Sequence, residues 1–356
     1  MTDRAHLAFA LSLHRAAAPD PEVNACWSPY SVASALGVAA QAAGGRTREE
    51  IVRLLGEGGD ELLRASTVTD DASFAVANTL WTREGLEVEA EFLDALGRWP
   101  GAKVRAAPFA ADPEGARTLV NADVAETTYD LIPELLEPGS VSPDTVASVV
   151  NAVYLKAGWL NAFADGGTEP RPFHAPAGTV DVPTMTLTAR LFHAAADGWQ
   201  AITLPALGGV EAVVLLPDGD LDESTLDADR LTALLDARAI SHIALFTPAL
   251  ALRARFALKD ALAELGVRTV FTSAADLSGL SPDSDLLVDD VLHEAVLRVD
   301  EQGFEGAAAT AVMIRAVSLV VESDPVEIHV DRPHLLLVRH ARTGAVYFLA
   351  RVVRPG

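Results

Sequence analysis

Nine histidines, fifty carboxylates and one thiol are the chain's stock of reactive side chains. Their spacing decides what chemistry they can do. His293-Glu294 begins like a helical zinc-protease motif, in which two histidines one turn apart reach one metal. The second position is Leu297, so that reading fails. His329, His334 and His340 are scattered over a strand-rich stretch, the ordinary pattern of structural histidines. Gly56, Gly58 and Gly59 miss the spacing of a dinucleotide-binding turn, and no glycine-rich loop ends in Lys-Ser or Lys-Thr. LSGL at 277–280 lacks the pattern of a nucleophile elbow. A Ser-His-Asp triad drawn from distant residues is open to almost any sequence, and nothing here raises it above chance.

A different chemistry is written into VDEQGFEGAAATAVMIRAVSLVVESDP (299–325). Taken as a strand, it has a two-residue period. Phe304, Gly306, Ala308, Thr310, Val312, Ile314 and Ala316 fall on one face. Gly303, Glu305, Ala307, Ala309, Ala311, Met313 and Arg315 fall on the other, which carries both charges. The first face suits burial, and small side chains at the start would let the segment slip between existing strands. Composition alone favours a plainer reading, an Ala-rich helical turn or a loop.

The elements around it mix helix and strand. SVASALGVAAQAA and TREEIVRLLG have helical periodicity, and Thr47 is placed to cap the second, with Gly56 after its end. FAVANTLWT (74–82) reads as a buried strand, AEFLDALGRW (90–99) as a helix, and 117–136 as a helix and a turn. TVASVVNAVYLKAGW (145–159), WQAITLPAL, VEAVVLLPDG, HIALFTPALALRARF and 286–303 carry strand signals. LKDALAELGV returns to helix. The last 30 residues read as a hairpin turning at Arg342-Thr343-Gly344. Helices lead, strands follow, and no βαβ alternation appears. The expectation is one α+β domain over 1–356.

Composition narrows the partners. Twenty-seven basic and 50 acidic residues leave a net charge of −23. Such a surface disfavours nucleic acid and anionic membranes. Cys26 alone can form neither an internal disulfide nor a Cys-rich zinc site. The first twenty residues are too short in apolar run to span a membrane and too charged for a leader peptide. A cytoplasmic protein is the default expectation, and a form exported with a cleaved leader stays compatible with it. Three lysines among 27 basic residues, with abundant Ala, Arg, Gly and Pro, point to a GC-rich bacterial genome. Few Asn, Gln, Met and Cys would also suit heat adaptation.

The segment at 299–325 resembles the reactive-loop hinge of the serpins, the serine protease inhibitor superfamily. The resemblance runs from about residue 5 to 354, in the family's order. It is carried by Asn24 with Ser28-Pro29 and Ser31; FAVANTLW with Asn78; LVNADVAETT with Asn121 and Thr127; and VNAVYLKAGW with Asn151, Ala152, Tyr154, Lys156, Gly158 and Trp159. Phe173, Val182-Pro183, Met185, LKDALAELG, FTSAADLSGL, His293-Glu294-Ala295, DRP and GAVYFLARVVRP extend it. Phe304 departs from the pattern, where Thr, Ser or Val is usual, and its bulk is expected to slow insertion. Gly306 replaces Ala, His334 replaces an aromatic, Ala350 replaces Gly, and 318–333 is longer than typical.

The resemblance implies a single-domain serpin fold with about three sheets, eight or nine helices and an exposed reactive-centre loop. It implies a single-use inhibitor rather than an enzyme, without cofactor or metal. The partner is a serine protease held as a covalent acyl complex by a monomeric inhibitor; nucleic acid and membrane are not partners. The hinge would be Glu301, Gly303, Phe304, Glu305, Gly306, Ala307, Ala308, Ala309, Thr310 and Ala311. Ser28, Ser31, Asn151 and His293 would form the polar shutter where the sheet parts, and Trp159 would lie where insertion begins. Counting 16 positions from Glu301 puts the scissile bond at Val317-Ser318, with Leu319 and Arg315 as rivals. A non-inhibitory serpin, acting as a chaperone or binding protein, is the alternative, and Phe304 favours it.

Overall fold

The computed structural model describes residues 4–56, 58–66, 68, 72–97, 99, 102–164, 166–282, 286–288, 290–304 and 324–355. Among them are eight helices and fifteen strands. The helices are α1 (Arg4–Ala17), α2 (Pro29–Ala42), α3 (Gly45–Leu55), α4 (Gly59–Ala65), α5 (Ala90–Leu96), α6 (Pro113–Thr127), α7 (Ala228–Asp236) and α8 (Lys259–Glu264).

Six strands form one sheet: β2 (Ser73–Arg83), β3 (Ala102–Ala107), β4 (Ala147–Gly158), β10 (Leu250–Ala257), β11 (Val291–Val299) and β12 (Gly303–Phe304), in the order β10-β11-β12-β4-β2-β3. A second sheet of nine holds β1 (Ala25–Trp27), β5 (Glu169–Ala175), β6 (Gly178–Ala196), β7 (Trp199–Pro205), β8 (Val210–Pro217), β9 (Ala239–Pro248), β13 (Val326–His329), β14 (His334–His340) and β15 (Val346–Val352). The family resemblance implies about three sheets. Here the 19-residue β6 pairs with β5, β7 and β9, so hydrogen bonding runs without a break through what would otherwise count as two.

Local chemistry explains the elements that frame the site. The Ser28 hydroxyl accepts from the Ser31 N–H, and Pro29 opens α2 with a missing donor that a first turn does not need. Twelve of the 14 residues of α2 are buried, so this helix runs through the core rather than across it. Asp112 caps α6 in the same way, ahead of Pro113. α3 departs from expectation. Its cap is Gly44, and Thr47 lies inside the helix, where its hydroxyl accepts from the Asp276 N–H at 3.0 Å. The run 242–256 also divides at Ala249 into β9 and β10, which belong to different sheets.

Nearly every position of β4 is buried, because both faces of its sheet are covered. One face meets the main core with α2. The other meets a second apolar cluster beneath α6, built from Trp81, Phe109, Val120, Val124, Ile132 and Val150. No helix among the described residues is long and apolar enough to cross a membrane.

Candidate functional site

The site is a seam between two strands. β4 and β11 run parallel and pair over four residues, from Val149–Val291 to Ala152–Glu294. Above that the two separate, and β12 lies between them, antiparallel to both. Phe304 pairs with Ala157 on one side and Val299 on the other.

A tight turn delivers β12 into the gap. The Asp300 carboxylate accepts from the N–H groups of Gln302 and Gly303, at 2.8 and 3.1 Å. Trp159 grips the turn twice: its backbone N–H donates to the Gln302 carbonyl and its indole N–H to the Asp300 carbonyl, both at 2.9 Å. The Phe163 N–H donates to the Glu301 carbonyl, and the Thr168 hydroxyl donates to the Glu301 carboxylate. Gly303 is required by close approach: a Cβ there would stand 2.1 Å from the Ala157 carbonyl oxygen.

Phe304 is 1% exposed and rests against the Trp159 ring, with centroids 4.7 Å apart. The ring is seated in the sheet, and Trp159 forms one wall of its pocket. The remaining hinge residues, Glu305 to Ala311, lie outside the described residues. So do Arg315, Val317, Ser318 and Leu319.

The parallel pairs below β12 carry a polar cluster. Asn151 and His293 are cross-strand partners. The Ser28 backbone N–H donates to His293 Nε2 at 3.0 Å, which leaves the proton on Nδ1. That Nδ1–H donates to Asn151 Oδ1 at 3.1 Å, and the Ser31 hydroxyl donates to the same oxygen. The Asn151 amide donates to the Ser31 carbonyl and to Asn78 Oδ1, and the Asn78 amide to the Ser34 hydroxyl at 2.7 Å. Ser28, Ser31, Asn151 and His293 thus lie together, fully buried, on α2, β4 and β11. Ser34 and Asn78 extend the cluster. Sequence reading passed over both as site residues, although an Asn in the apolar run FAVANTLW was the available signal.

Burial pushes His293 down to about 3 and His334 down to about 4. Both are neutral in the folded protein, against about 6.5 for an unfolded histidine. Their contribution is complete above that value and is lost as pH falls below it, because only the unfolded chain then takes up protons. At pH 5 the loss is about 2 kcal/mol for each. Melting scans at pH 7.5 and pH 5 should show it as a lower midpoint in acid. The acid loss should shrink in His334→Phe, which removes one of the two groups. Equal melting at both pH values would contradict the assignment.

On the opposite face, a strap crosses the seam's flank. Arg255 on edge strand β10 reaches Glu137 at 2.7 Å and the Glu134 carbonyl at 2.6 Å, both in the connection from α6 to β4. Arg253 and Arg255 also bracket the buried Glu294 of β11. His293 and Glu294 therefore point to opposite faces of a strand, which removes the zinc-motif reading. No cluster of three metal-ligating side chains occurs among the described residues.

The profile of the serpin (serine protease inhibitor) family matches residues 4–355. The chain belongs to the serpin family. It is 33% identical to Iripin-2 of Ixodes ricinus over 371 aligned residues, which cover 98% of this chain and 92% of that protein. The fold superposes on thyroxine-binding globulin in complex with thyroxine with a TM-score of 0.87, at 24% identity, covering 99% and 98% of the two chains. It superposes on native tengpin, a thermophilic serpin, with a TM-score of 0.86 at 21% identity, covering 98% and 93%. The α+β serpin fold follows, and with it membership of a family whose described activity is protease inhibition.

Proposed function

We propose that this serpin is a suicide substrate for an elastase- or chymotrypsin-like serine protease. The target's serine would attack the Val317 carbonyl. The Val317–Ser318 bond would break, Ser318 would leave as a new amino terminus, and the acyl ester would remain on Val317. The loop would then insert between β4 and β11 with the protease attached, and distort it before water could cleave the ester. From Gly303 to Val317 is 15 residues, about 50 Å of strand.

One observation carries this reading: β12 already occupies the top of the seam in a register that can be continued. Extending the Phe304–Ala157 and Phe304–Val299 pairs downward sets Glu305 between Lys156 and Arg298, and Ala308 between Val153 and Ala295. Thr310 arrives between Asn151 and His293, a hydroxyl meeting the two polar groups it would separate. Ile314 arrives opposite Ala147, the first residue of β4. The small-residue run thus spans the part of the seam that must open, and its one hydroxyl falls at the polar cluster.

Val317 fits elastase-like pockets. Trypsin-like pockets hold a carboxylate that Val would leave unpaired. Leu319 would suit a chymotrypsin-like target, and Arg315 a trypsin-like one. The alternative, a non-inhibitory serpin acting as a chaperone or binding protein, draws on the unusual Phe304 and on the thyroxine complex of a structural neighbour. Incubation with a panel of serine proteases separates the two: inhibition gives an SDS-stable covalent band. The mass of the released carboxy-terminal fragment then fixes the bond. A fragment starting at Ser318 is expected; one starting at Val320 moves the bond by two residues, and one starting at Ala316 overturns the elastase- or chymotrypsin-like target. Cleavage without any covalent band sinks the inhibitory reading.

A further inference from the structure

A cleft away from the seam has the features of a small-ligand site. It lies where α1, α2, α3 and α4 converge on Trp99, and holds about 280 Å³. Glycine creates it. Gly37 on α2 has no side chain because the Trp99 ring lies over it; a Cβ there would stand 2.1 Å from that ring. Gly58 turns the chain toward α4 at a φ of +79°, and a Cβ on it would meet nothing within 4 Å. The walls are Phe9, Leu55, Leu63 and Trp99.

Beside the polar His6 and Gln41, one side chain of fixed charge is found among the described lining residues of this largely apolar space. Arg48 sits at the exposed edge and donates one N–H to the carbonyl of Ala40, itself a lining residue. Among the described residues Arg48 pairs with no carboxylate. The remaining guanidinium N–H groups form a planar fork suited to a bidentate carboxylate. Val52, 38% exposed, stands one helical turn on from Arg48 along the same edge of α3. An apolar pocket with one cation at its edge selects an amphiphile whose head is an anion.

We propose that this cleft binds a medium-chain alkyl carboxylate, its chain against Phe9, Leu63 and Trp99 and its head group on Arg48. At about 30 Å³ per water-sized atom, the volume accommodates about nine heavy atoms, close to octanoate. The geometry predicts a chain-length rule. Affinity should rise about fourfold per methylene up to eight carbons and then level off, because further carbons reach solvent.

Isothermal titration of the intact protein with sodium octanoate tests this, with 1-octanol as the uncharged control. One saturable site is expected, with octanol about tenfold weaker. Arg48→Gln should bring octanoate down to the octanol level and leave octanol unchanged. Val52→Trp, at an exposed helix position that tolerates bulk, should fill the cleft and weaken both ligands at least tenfold, while circular dichroism verifies its fold. Absence of saturable binding overturns the proposal. So does octanoate binding that both variants leave untouched, because the ligand then sits elsewhere. Octanol binding as tightly as octanoate overturns the carboxylate assignment.

Discussion

In Ala308→Glu, the covalent complex with the target protease is expected to give way almost wholly to cleaved, released protein. On insertion, the register at the top of the seam, continued downward, would set residue 308 between Val153 and Ala295, both buried in the main core. No cation lies in that layer of β4 or β11 to meet the new carboxylate. An unpaired buried charge costs several kcal/mol. If about 3 kcal/mol of that cost falls on the insertion barrier, insertion slows about 150-fold. Deacylation does not slow with it, so the ester is hydrolysed before the protease is distorted. Residue 305 makes the contrast. It is already an acid, and on insertion the same register would carry it between Lys156 and Arg298 on the other face, where a negative charge would be matched. The stoichiometry of inhibition reads the competition directly. It should rise from near one to tens of inhibitor molecules per protease in Ala308→Glu. An unchanged stoichiometry would mean that residue 308 does not enter the core, and strand insertion would have to be abandoned.

The sequence made the periodic parts of this scheme legible and left the contingent parts hidden. The alternation from Phe304 onward follows from the pleat, so it can be read without coordinates. The seating of Phe304 cannot, because it depends on the Trp159 ring 145 residues earlier in the chain and on a turn held by Asp300. Asn78 and Ser34 join the buried polar cluster, but their contribution depends on β2 pairing with β4 in a register that sets Asn78 against Asn151. Thr47 followed the local rule for a helix cap and lost to a tertiary contact, since its hydroxyl satisfies the Asp276 N–H. The Arg255 strap joins residues 118 apart, and neither Arg255 nor Glu137 has a local pattern that announces it.

A single cut in the loop is expected to raise the melting midpoint by more than about 10 °C. In the uncut protein, β4 and β11 share four pairs, and above them, among the described residues, the two residues of β12 fill the gap. An inserted strand from Phe304 to Ile314 would bond to both neighbours along its length and bury alternate side chains on the core face. Each backbone hydrogen bond contributes about 1 kcal/mol net, and the ladder on each side gains several. The four β4–β11 pairs are lost, the Arg255 strap must let the α6 connection move, and ordering the strand costs backbone entropy. The balance has to favour insertion, or the uncut protein would gain nothing from being cleaved. Unfolding entropy is about 2.1 cal/mol/K per residue, or about 0.75 kcal/mol/K for 356 residues. A net gain of about 8 kcal/mol therefore moves the midpoint by more than about 10 °C. Serpin-sized chains often unfold irreversibly, so both forms must be scanned at one rate. The comparison needs protein cut once in the loop, verified by mass, and separated from the protease. If its midpoint matches that of the uncut chain, the seam does not accept the strand. The protein would then be a cleavable binding serpin, with no stored free energy to spend on a protease.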